Sequence, residues 1–232
     1  MSIVNTSDPS LVFHLGSLTP TAILAEIRNR TAMVSDQGDS ESLEVTIQGA
    51  SGQDHIGAGI RHVSKVTIQG EIGDFGLCSF GDGECNVDGN VGSFFGHSIQ
   101  SGVLVVRGHA KACVGALGAG GLITIYGNAG ARVALGLQGA DVVIRGSVDA
   151  NAGLGMQSGT LIIGGAAGAG LGKGMKGGTI YIRGEAESIS PDIEEQRLRE
   201  PDRLKIGLLM LKSGIKSTGK EFRAYRPVHA DS

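Results

Sequence analysis

The sequence predicts an all-β protein, a single-stranded parallel β-helix of about eight rungs with short helical segments at both ends. Three observations indicate this fold. Glycine supplies 40 of the 232 residues, more than twice the usual share of about 7%. A short apolar segment that ends in glycine recurs every 19 residues over most of the chain. Within each segment apolar and polar residues alternate, as they do in a strand with one buried face.

The spacing of the repeat is nearly constant. From Gly70 to Gly184 each of the six steps is 19 residues, and only the first step, from Gly49 to Gly70, is longer, at 21 residues. Self-similarity at a fixed period is typical of repeat architectures. The repeat glycines are Gly49, Gly70, Gly89, Gly108, Gly127, Gly146, Gly165 and Gly184.

The residues around each repeat glycine predict how the strands stack. The residues two and four positions before it are apolar, and the residue directly before it is usually polar. A period of 19 residues leaves no room for a crossover helix, so each strand is expected to stack on the previous one, about 4.8 Å away, with the apolar columns inside. A β-sandwich is the alternative, but it seldom keeps so constant a spacing.

A glycine-rich stretch, "GAAGAGLGKGMKGG" at 165–178, raises the question of a phosphate-binding loop. Gly172, Gly174 and Gly177 match the pattern GxGxxG. That pattern binds phosphate only when a helix follows, because the helix N-terminus holds the anion. Here another repeat strand, "TIYIRG", follows. The stretch is therefore interpreted as a corner of the solenoid, where glycine permits a positive φ or a close approach of two backbones.

Before the repeat, "LTPTAILAEIRNR" predicts a helix with Thr19 as N-cap and Pro20 at the first helical position. Residues 35–42 are interpreted as an acidic loop. The apolar side chains expected to cover the open end of the rod are Ala22, Ile23, Ala25 and Ile27. The chain thus divides into an N-terminal cap (residues 1–42), the β-helix (43–185) and C-terminal helices with a tail (186–232).

After the repeat, "SPDIEEQRLRE" and "PDRLKIGLLMLKS" look helical, with Pro201 between them, the second helix covering roughly 201–213. Two roles stay open for them: a cap on the rod, or a docking helix for a partner subunit. The tail "KEFRAYRPVHADS" is expected to bind a partner in extended form or to be disordered. Removal of residues 214–232 is expected to leave the rod folded. The hypothetical partner interface comprises Leu208, Leu211, Phe222, Arg223, Tyr225 and Arg226.

No residues are spaced for catalysis, cofactor binding or metal ligation. The histidines are expected at corners, with solvent or hydrogen-bonding neighbours around them. Cys85 falls in an inward column, whereas Cys78 and Cys113 fall in corner loops where exposure is possible. The three cysteines lack the spacing of a zinc site. The histidines are His55, His62, His97 and His109, and outward arginines form a sparse basic stripe at Arg107, Arg145 and Arg183.

Composition narrows the function classes. The formal net charge of −3 argues against nucleic acid as the main partner. No apolar run approaches the ~20 residues of a membrane helix, and the first residues lack the pattern of a signal peptide. A cytoplasmic location is expected.

The repeat resembles a known family. "VTIQGEIGDFG", "VDGNVGSFFG", "IYGNAGARVALG" and "GAGLGKGMKGGTIYIRG" resemble the GXGXG domain, with likeness over about residues 43–185. That domain is the C-terminal part of the large subunit of glutamate synthase, a stand-alone subunit of N-methylglutamate synthase-like enzymes, and one of the subunits of formylmethanofuran dehydrogenase. The resemblance implies a right-handed parallel β-helix that is not itself catalytic.

The resemblance also implies a function and partners. The chain looks most like a non-catalytic structural subunit of a glutamate synthase-like or N-methylglutamate synthase-like hetero-oligomer. Its expected partners are a glutamine amidotransferase-type subunit and an FMN-binding glutamate synthase-like subunit, with FMN and an iron–sulfur cluster held in a partner. The alternatives are the β-helical subunit of a formyltransferase/hydrolase complex, similar to formylmethanofuran dehydrogenase, and a stand-alone β-helix that binds ligands or acts as a hydrolase. The isolated chain is expected to be inactive and to bind no flavin or nucleotide.

Overall fold

A computed structural model of the chain is a parallel β-solenoid of about seven turns; it describes residues 10–37, 43–216 and 219–228. The strands form a single sheet in the order β1 to β9, then β11 and β10. In the described part of the chain, no helix is long and apolar enough to cross a membrane. The elements are β1 Ser10–His14, α1 Pro20–Gln37, β2 Glu44–Gln53, β3 Lys65–Ile72, β4 Glu84–Asp88, β5 Val103–Val106, β6 Leu122–Ile125, β7 Gln138–Ile144, β8 Ser158–Ile163, β9 Thr179–Ile182, β10 Ile193–Gln196, α2 Glu200–Lys212 and β11 Arg223–Pro227.

The predicted repeat is the register of the sheet. Strands β2 to β9 pair in parallel with residues of one column opposite each other, as Val66 is opposite Cys85 and Ile68 is opposite Val87. The same register continues to the last repeat strand, where Ile163 pairs with Ile182. Eight repeat strands enclose seven connecting turns, so the solenoid has about seven turns rather than eight rungs.

The two inward columns form the core as predicted. Every residue two or four positions before a repeat glycine is at most 1% exposed. Cys85 occupies one of these positions, and its burial raises the pKa of the thiol far above the usual range. It therefore acts as a small apolar side chain in the rod interior.

The turns contain a second repeat that the strand pattern does not reveal. In residues 170–174, "GLGKG", three alternate glycines have left-handed backbone: Gly170, Gly172 and Gly174, with φ of 78°, 70° and 64°. The same three positions are left-handed in the other six turns, which begin at residues 55, 75, 94, 113, 132 and 151. There many are not glycine; for example, Phe75 has φ of 56° and Leu77 has φ of 49°.

Backbone hydrogen bonds between adjacent turns hold these strained residues in place. The backbone N–H of Phe75 donates to the carbonyl of Ser93 at 2.8 Å, and that of Phe94 donates to the carbonyl of Ala112 at 2.9 Å. A non-glycine residue in this region costs on the order of 1–3 kcal/mol and persists only where its surroundings hold it. The stacking of turn on turn supplies that restraint.

The glycines play both predicted roles, in different columns. Gly178, at the corner before a strand, has φ of 84°. Gly89, a repeat glycine, does not have a positive φ; a Cβ there would lie 2.1 Å from the carbonyl oxygen of Gly70 on the previous turn. Most repeat glycines are thus required by close stacking of backbones rather than by φ.

The predicted N-terminal helix is present and capped as expected. Helix α1 begins at Pro20, and the Thr19 hydroxyl accepts a hydrogen bond from the Ala22 N–H at 3.2 Å. Ile23 and Ile27 are buried against the main core, but Ala22 is exposed. Ala25 is exposed too, so the covering face is narrower than predicted. Of the predicted acidic loop, residues 35–37 belong to α1 and residues 38–42 lie outside the described residues.

A strand before α1 was not predicted. Strand β1 pairs in parallel with β2, which places Leu11 opposite Val45 and Phe13 opposite Ile47. Its buried residues stand at odd numbers of positions before Gly16, whereas those of the repeat stand two and four positions before their glycine. The alternation is therefore out of phase with the repeat pattern.

The C-terminal region differs most from the prediction. Residues 190–199 are not a helix but carry β10, and Pro201 lies in the first turn of α2, where proline is tolerated. The tail forms β11, which pairs antiparallel with both β9 and β10. The tail is thus neither disordered nor extended on a partner over residues 223–227, and its strand belongs to the protein's own sheet.

Strand β11 and residue Ile193 close the end of the rod, a role that the sequence assigned to helices as one alternative. Tyr225 and Ile193 belong to the main core. A Cβ at Gly172 would lie 2.4 Å from the Cδ1 atom of Ile193, which packs against the last glycine-rich turn. Helix α2 lies instead along the outer face of the sheet, so it is not the terminal cap.

Candidate partner-binding surface

Helix α2 covers an outer column of the sheet that becomes apolar along the rod. This column stands three positions before each repeat glycine. In β2 to β4 its residues are the partly buried Thr46, Thr67 and Asn86, but farther along the rod they are buried. Those buried residues are Val105, Thr124, Val143, Ile162 and Tyr181. The change from polar to apolar is visible in the sequence and marks where α2 packs.

The inner face of α2 packs on this column. Ile206, Leu209 and Met210 are buried in a second cluster that includes Val143 and Ile162. The cluster also contains Phe222 and Ala224 from the tail. Sheet, helix and tail therefore share an apolar layer outside the rod, separate from the core within it.

A polar cluster anchors the first turn of α2. The Tyr181 hydroxyl donates to the Asp202 carboxylate at 2.6 Å, and the backbone N–H of Arg199 donates to its other oxygen at 2.8 Å. The Arg226 guanidinium also bonds that carboxylate. Asp202 is buried, so each donor compensates part of the cost of placing a charge there.

Opposing effects act on the two acids of this cluster. Burial acts to raise the pKa of Asp202, but hydrogen bonds from Tyr181 and Arg199, together with the charge of Arg226, outweigh it and hold the pKa below its usual range. Burial and the hydrogen bond to Asp202 raise the pKa of Tyr181. Tyr181 therefore remains a neutral donor and Asp202 a charged acceptor at neutral pH.

The other end of α2 is also fixed to the sheet. The hydroxyls of Thr124 and Ser213 lie 2.8 Å apart, and the Tyr126 hydroxyl donates to the Ser213 carbonyl at 2.6 Å. Midway along the helix, Lys205 lies 3.4 Å from Asp141. With both ends anchored, the outward face of α2 has a fixed position on the rod.

That outward face carries a stripe of leucines. Leu204, Leu208 and Leu211 are 60%, 59% and 74% exposed. Their spacing of four and three residues puts them on one side of the helix. Leu208 and Leu211 are among the predicted interface residues and are accessible, and Leu204 extends the set. We call these three side chains the leucine stripe.

The other four predicted interface residues make contacts within the chain itself. Phe222 and Tyr225 are buried, at 5% and 2% exposure. Arg223 pairs with Glu185 at 3.0 Å, and Arg226 bonds Asp202. These two rings therefore have little surface left for a partner, because Phe222 packs in the layer under α2 and Tyr225 packs in the rod core.

Positive charge flanks the leucine stripe. Lys212 follows its last leucine, and both Lys212 and Lys216 are exposed. Arg203 is matched by Glu200 at 3.4 Å. A binding surface complementary to this helix is therefore apolar at its centre and acidic at its rim.

The sequence profile of the GXGXG motif family matches residues 20–207, most of the chain. The match spans all seven turns with alternating left-handed residues, including the literal "GLGKG" of residues 170–174. The chain belongs to the GXGXG motif family. Domains of this family occur in glutamate synthase-like proteins. A comparison with curated proteins finds no match.

The histidines that were predicted at corners make contacts with neighbouring side chains of the GXGXG turns. His55 stacks on Phe75 with ring centroids 5.5 Å apart, Phe75 stacks on Phe94 at 4.9 Å, and His97 packs edge-on against Phe94 at 6.0 Å. His62 lies 3.7 Å from Asp82. Each histidine thus has a neighbour that accounts for its place at a corner.

His109 belongs to a ladder of side chains along one corner of the GXGXG rod. The Asn90 side chain accepts from the His109 N–H at 2.8 Å, His109 Nδ1 accepts from the Asn128 N–H at 3.0 Å, and Asn128 accepts from the Ser147 N–H at 2.9 Å. Each side chain satisfies the backbone of the next turn. A shallow depression of about 580 Å³, with four alanines among its ten lining residues, lies beside this ladder.

The cysteines of this GXGXG protein lie on different turns. Cys113 is 1% exposed, so it is buried although its position in a corner loop allowed exposure. Cys78 is partly buried, and burial raises the pKa of its thiol. Across residues 10–37, 43–216 and 219–228, no group of three or more His, Cys, Asp or Glu side chains is arranged to hold a metal ion.

Proposed function

We propose that this GXGXG protein is a non-catalytic structural subunit of a glutamate synthase-like complex in the cytoplasm, of the N-methylglutamate synthase type. It holds a glutamine amidotransferase-type subunit and an FMN-binding subunit in position for nitrogen transfer. The observation that carries the proposal is the leucine stripe on an anchored helix, in a family that occurs in glutamate synthase-like proteins.

The energetics of the leucine stripe favour a partner. Covering an exposed leucine fully is worth roughly 1.5–3 kcal/mol, and all three stripe leucines are more than half exposed. Helix α2 is fixed at both ends, so docking on it orders little additional chain. Affinity gained in this way is reduced less by conformational entropy than affinity from a flexible segment.

The contacts of the chain's nucleophilic and basic side chains support a structural role. Cys85 and Cys113 are buried. The ring nitrogen of His109 accepts a backbone hydrogen bond, and the ring of His55 is stacked on Phe75. In this proposal the flavin and the iron–sulfur cluster belong to a partner subunit.

Co-expression tests the proposal. The full chain, with amidotransferase-type and FMN-binding subunits from the same genome, is expected to elute as one complex in size-exclusion chromatography, with flavin absorbance in the complex peak. The double variant Leu208→Glu, Leu211→Glu should release the chain from that complex. Leu18→Glu is the matched control, because Leu18 is an exposed leucine, at 44%, outside α2.

The outcomes separate the possibilities. A complex that survives the stripe substitutions would remove α2 from the interface. A full chain that never associates with either subunit, or that alone retains flavin or turns over glutamine, would overturn the proposed function.

A further inference from the structure

A cavity lies between the C-terminal end of α2 and the outer face of the sheet. Its volume is about 410 Å³, within the range of small-ligand sites. Three cationic side chains line it: Arg145 and Arg183 from the sheet and Lys216 after the helix. Met210 and Ile215 form an apolar wall, and no carboxylate is among the lining residues.

The two arginines stand on either side of a gap in their column. The column directly before the repeat glycines runs Arg107, Tyr126, Arg145, Gly164, Arg183. Two steps of about 4.8 Å therefore separate Arg145 from Arg183. A side chain cannot fill the gap, because a Cβ at Gly164 would lie 2.3 Å from the Arg145 carbonyl oxygen.

Contacts with the protein orient both arginines. The Nε atom of Arg183 donates to the Gly164 carbonyl at 2.8 Å, which leaves its terminal N–H groups to bind elsewhere. The Arg145 guanidinium lies 5.8 Å from the centre of the Tyr126 ring. The Tyr126 hydroxyl is bonded to Ser213, so the ring is itself fixed. A planar guanidinium held in this way is suited to bind an oxyanion through two parallel hydrogen bonds.

The positive charge at the cavity has no matching negative charge in the described part of the chain. Neighbouring cations have carboxylate partners: Lys205 pairs with Asp141 at 3.4 Å and Arg223 with Glu185 at 3.0 Å. Within the described residues, Arg145, Arg183 and Lys216 form no ion pair. The last turn of α2 does not supply the missing negative charge, since N–H groups of Ser213 and Gly214 already bond its carbonyls.

We infer that this cavity binds a small dianion, either a phosphate ester or a dicarboxylate. The anionic group bridges Arg145 and Arg183, Lys216 covers it, and the organic part of the ligand lies against Met210 and Ile215. The site needs no partner subunit, so it stands independently of the proposed function.

Isothermal titration calorimetry of the full chain at low ionic strength tests the inference. The probes are inorganic phosphate, phenyl phosphate and succinate. At least one is expected to bind, and Arg145→Gln or Arg183→Gln should weaken it about tenfold or more, as loss of a charge-assisted pair does. The control is Lys65→Gln, since Lys65 is an exposed cation of β3 that does not line the cavity.

Each outcome bears on the inference. Tighter binding of the two phosphates assigns a phosphoryl ligand, tighter binding of succinate assigns a dicarboxylate, and stronger binding of phenyl phosphate than of inorganic phosphate supports the apolar wall. Absence of binding by all three probes, or equal weakening by Lys65→Gln, would overturn it. Unchanged thermal unfolding of the variants shows that any loss reflects the site rather than the fold.

Discussion

His109 illustrates how single residues act in a stacked fold. It occupies a corner column with Asn90 and Asn128, and each side chain accepts the backbone N–H of the following turn. A histidine in such a place resembles a catalytic candidate in the sequence, yet its ring nitrogen does the work of an amide oxygen. Because equivalent positions stack on one another, the role of a residue can be inferred from the residues above and below it in the same column.

This role gives a residue-scale prediction. His109→Ala should lower the free energy of unfolding by about 0.5–1.5 kcal/mol, the net value of one hydrogen bond. His109→Asn should lose much less, because asparagine fills the same role at positions 90 and 128. Urea denaturation measures both. If the asparagine variant is as unstable as the alanine variant, the ring does more than accept this bond.

Some residue-scale features were outside the reach of the sequence. The inward columns followed from alternation alone, and all were correct. Left-handed backbone was expected at glycine, but His55, Phe75 and Arg132 also adopt it, with φ of 61°, 56° and 58°. Local preference disfavours these conformations, and hydrogen bonds to the adjacent turns stabilise them. The sequence of a single turn does not show these hydrogen bonds to its neighbours.

At the scale of elements, α2 shows which part of the C-terminal region was predictable. Its boundaries, roughly 201–213, agree closely with the observed Glu200–Lys212. The segment before it was wrongly interpreted as a helix, and β11 was missed. Strand β11 runs antiparallel between β9 and the edge strand β10, outside the 19-residue repeat, and these pairings depend on contacts distant in sequence. The leucine stripe was predicted in part, whereas the anchoring role of Asp202 was not.

The anchor of α2 predicts a pH dependence. The pKa of Asp202 is lower in the folded chain than its usual value, so its stabilising effect is complete above the unfolded-state pKa of about 3.9. It is lost as the pH falls through the folded-state value. Asp202→Asn should therefore cost about 3 kcal/mol at pH 7, because Arg226 and Tyr181 lose a charged partner. The difference from the parent protein should shrink in strong acid.

Denaturant titrations at pH 7 and near pH 3 measure this effect. Glu200→Gln is the control, because Glu200 is an exposed acid in the same turn, and it should change stability little at either pH. A constant difference between Asp202→Asn and the parent protein at both pH values would contradict the assigned role of the carboxylate.

At the scale of the whole molecule, the repeat made the architecture predictable and the ends hard to predict. Nineteen-residue spacing fixes the stacking direction, register and core, because each turn repeats the contacts of the last. The ends break this regularity. The rod is completed by β1 at one end and by β10 and β11 at the other, and each required the chain to pair outside the repeat.

The closing role of β11 gives a prediction for truncation. A chain that stops after Lys216 loses Phe222 and Tyr225 from buried positions. Its free energy of unfolding should fall by at least about 5 kcal/mol, since removing one buried phenylalanine side chain alone costs about 3–5 kcal/mol. The sequence-based expectation that the tail can be removed without harm to the rod is thereby revised.

Thermal unfolding followed by circular dichroism, with a hydrophobic dye to report exposed core, measures the loss. A chain that stops after Val228 keeps β11 whole and is the control for shortening. An unchanged midpoint in the shorter chain would show that the rod end is stable without its last strand.

Because α2 has a fixed position on the sheet, the distance from the leucine stripe to the rod end can vary only at the N-terminal end. The helix packs on residues of β6 to β9, so the distance from the leucine stripe to the C-terminal end cannot change without disrupting that layer. Turns between β2 and β5 lie outside it. Gain or loss of one 19-residue unit there would move the N-terminal end by about 4.8 Å relative to the stripe. Evolution can thus adjust the distance between the leucine stripe and the N-terminal end in discrete steps while leaving the packing of α2 intact.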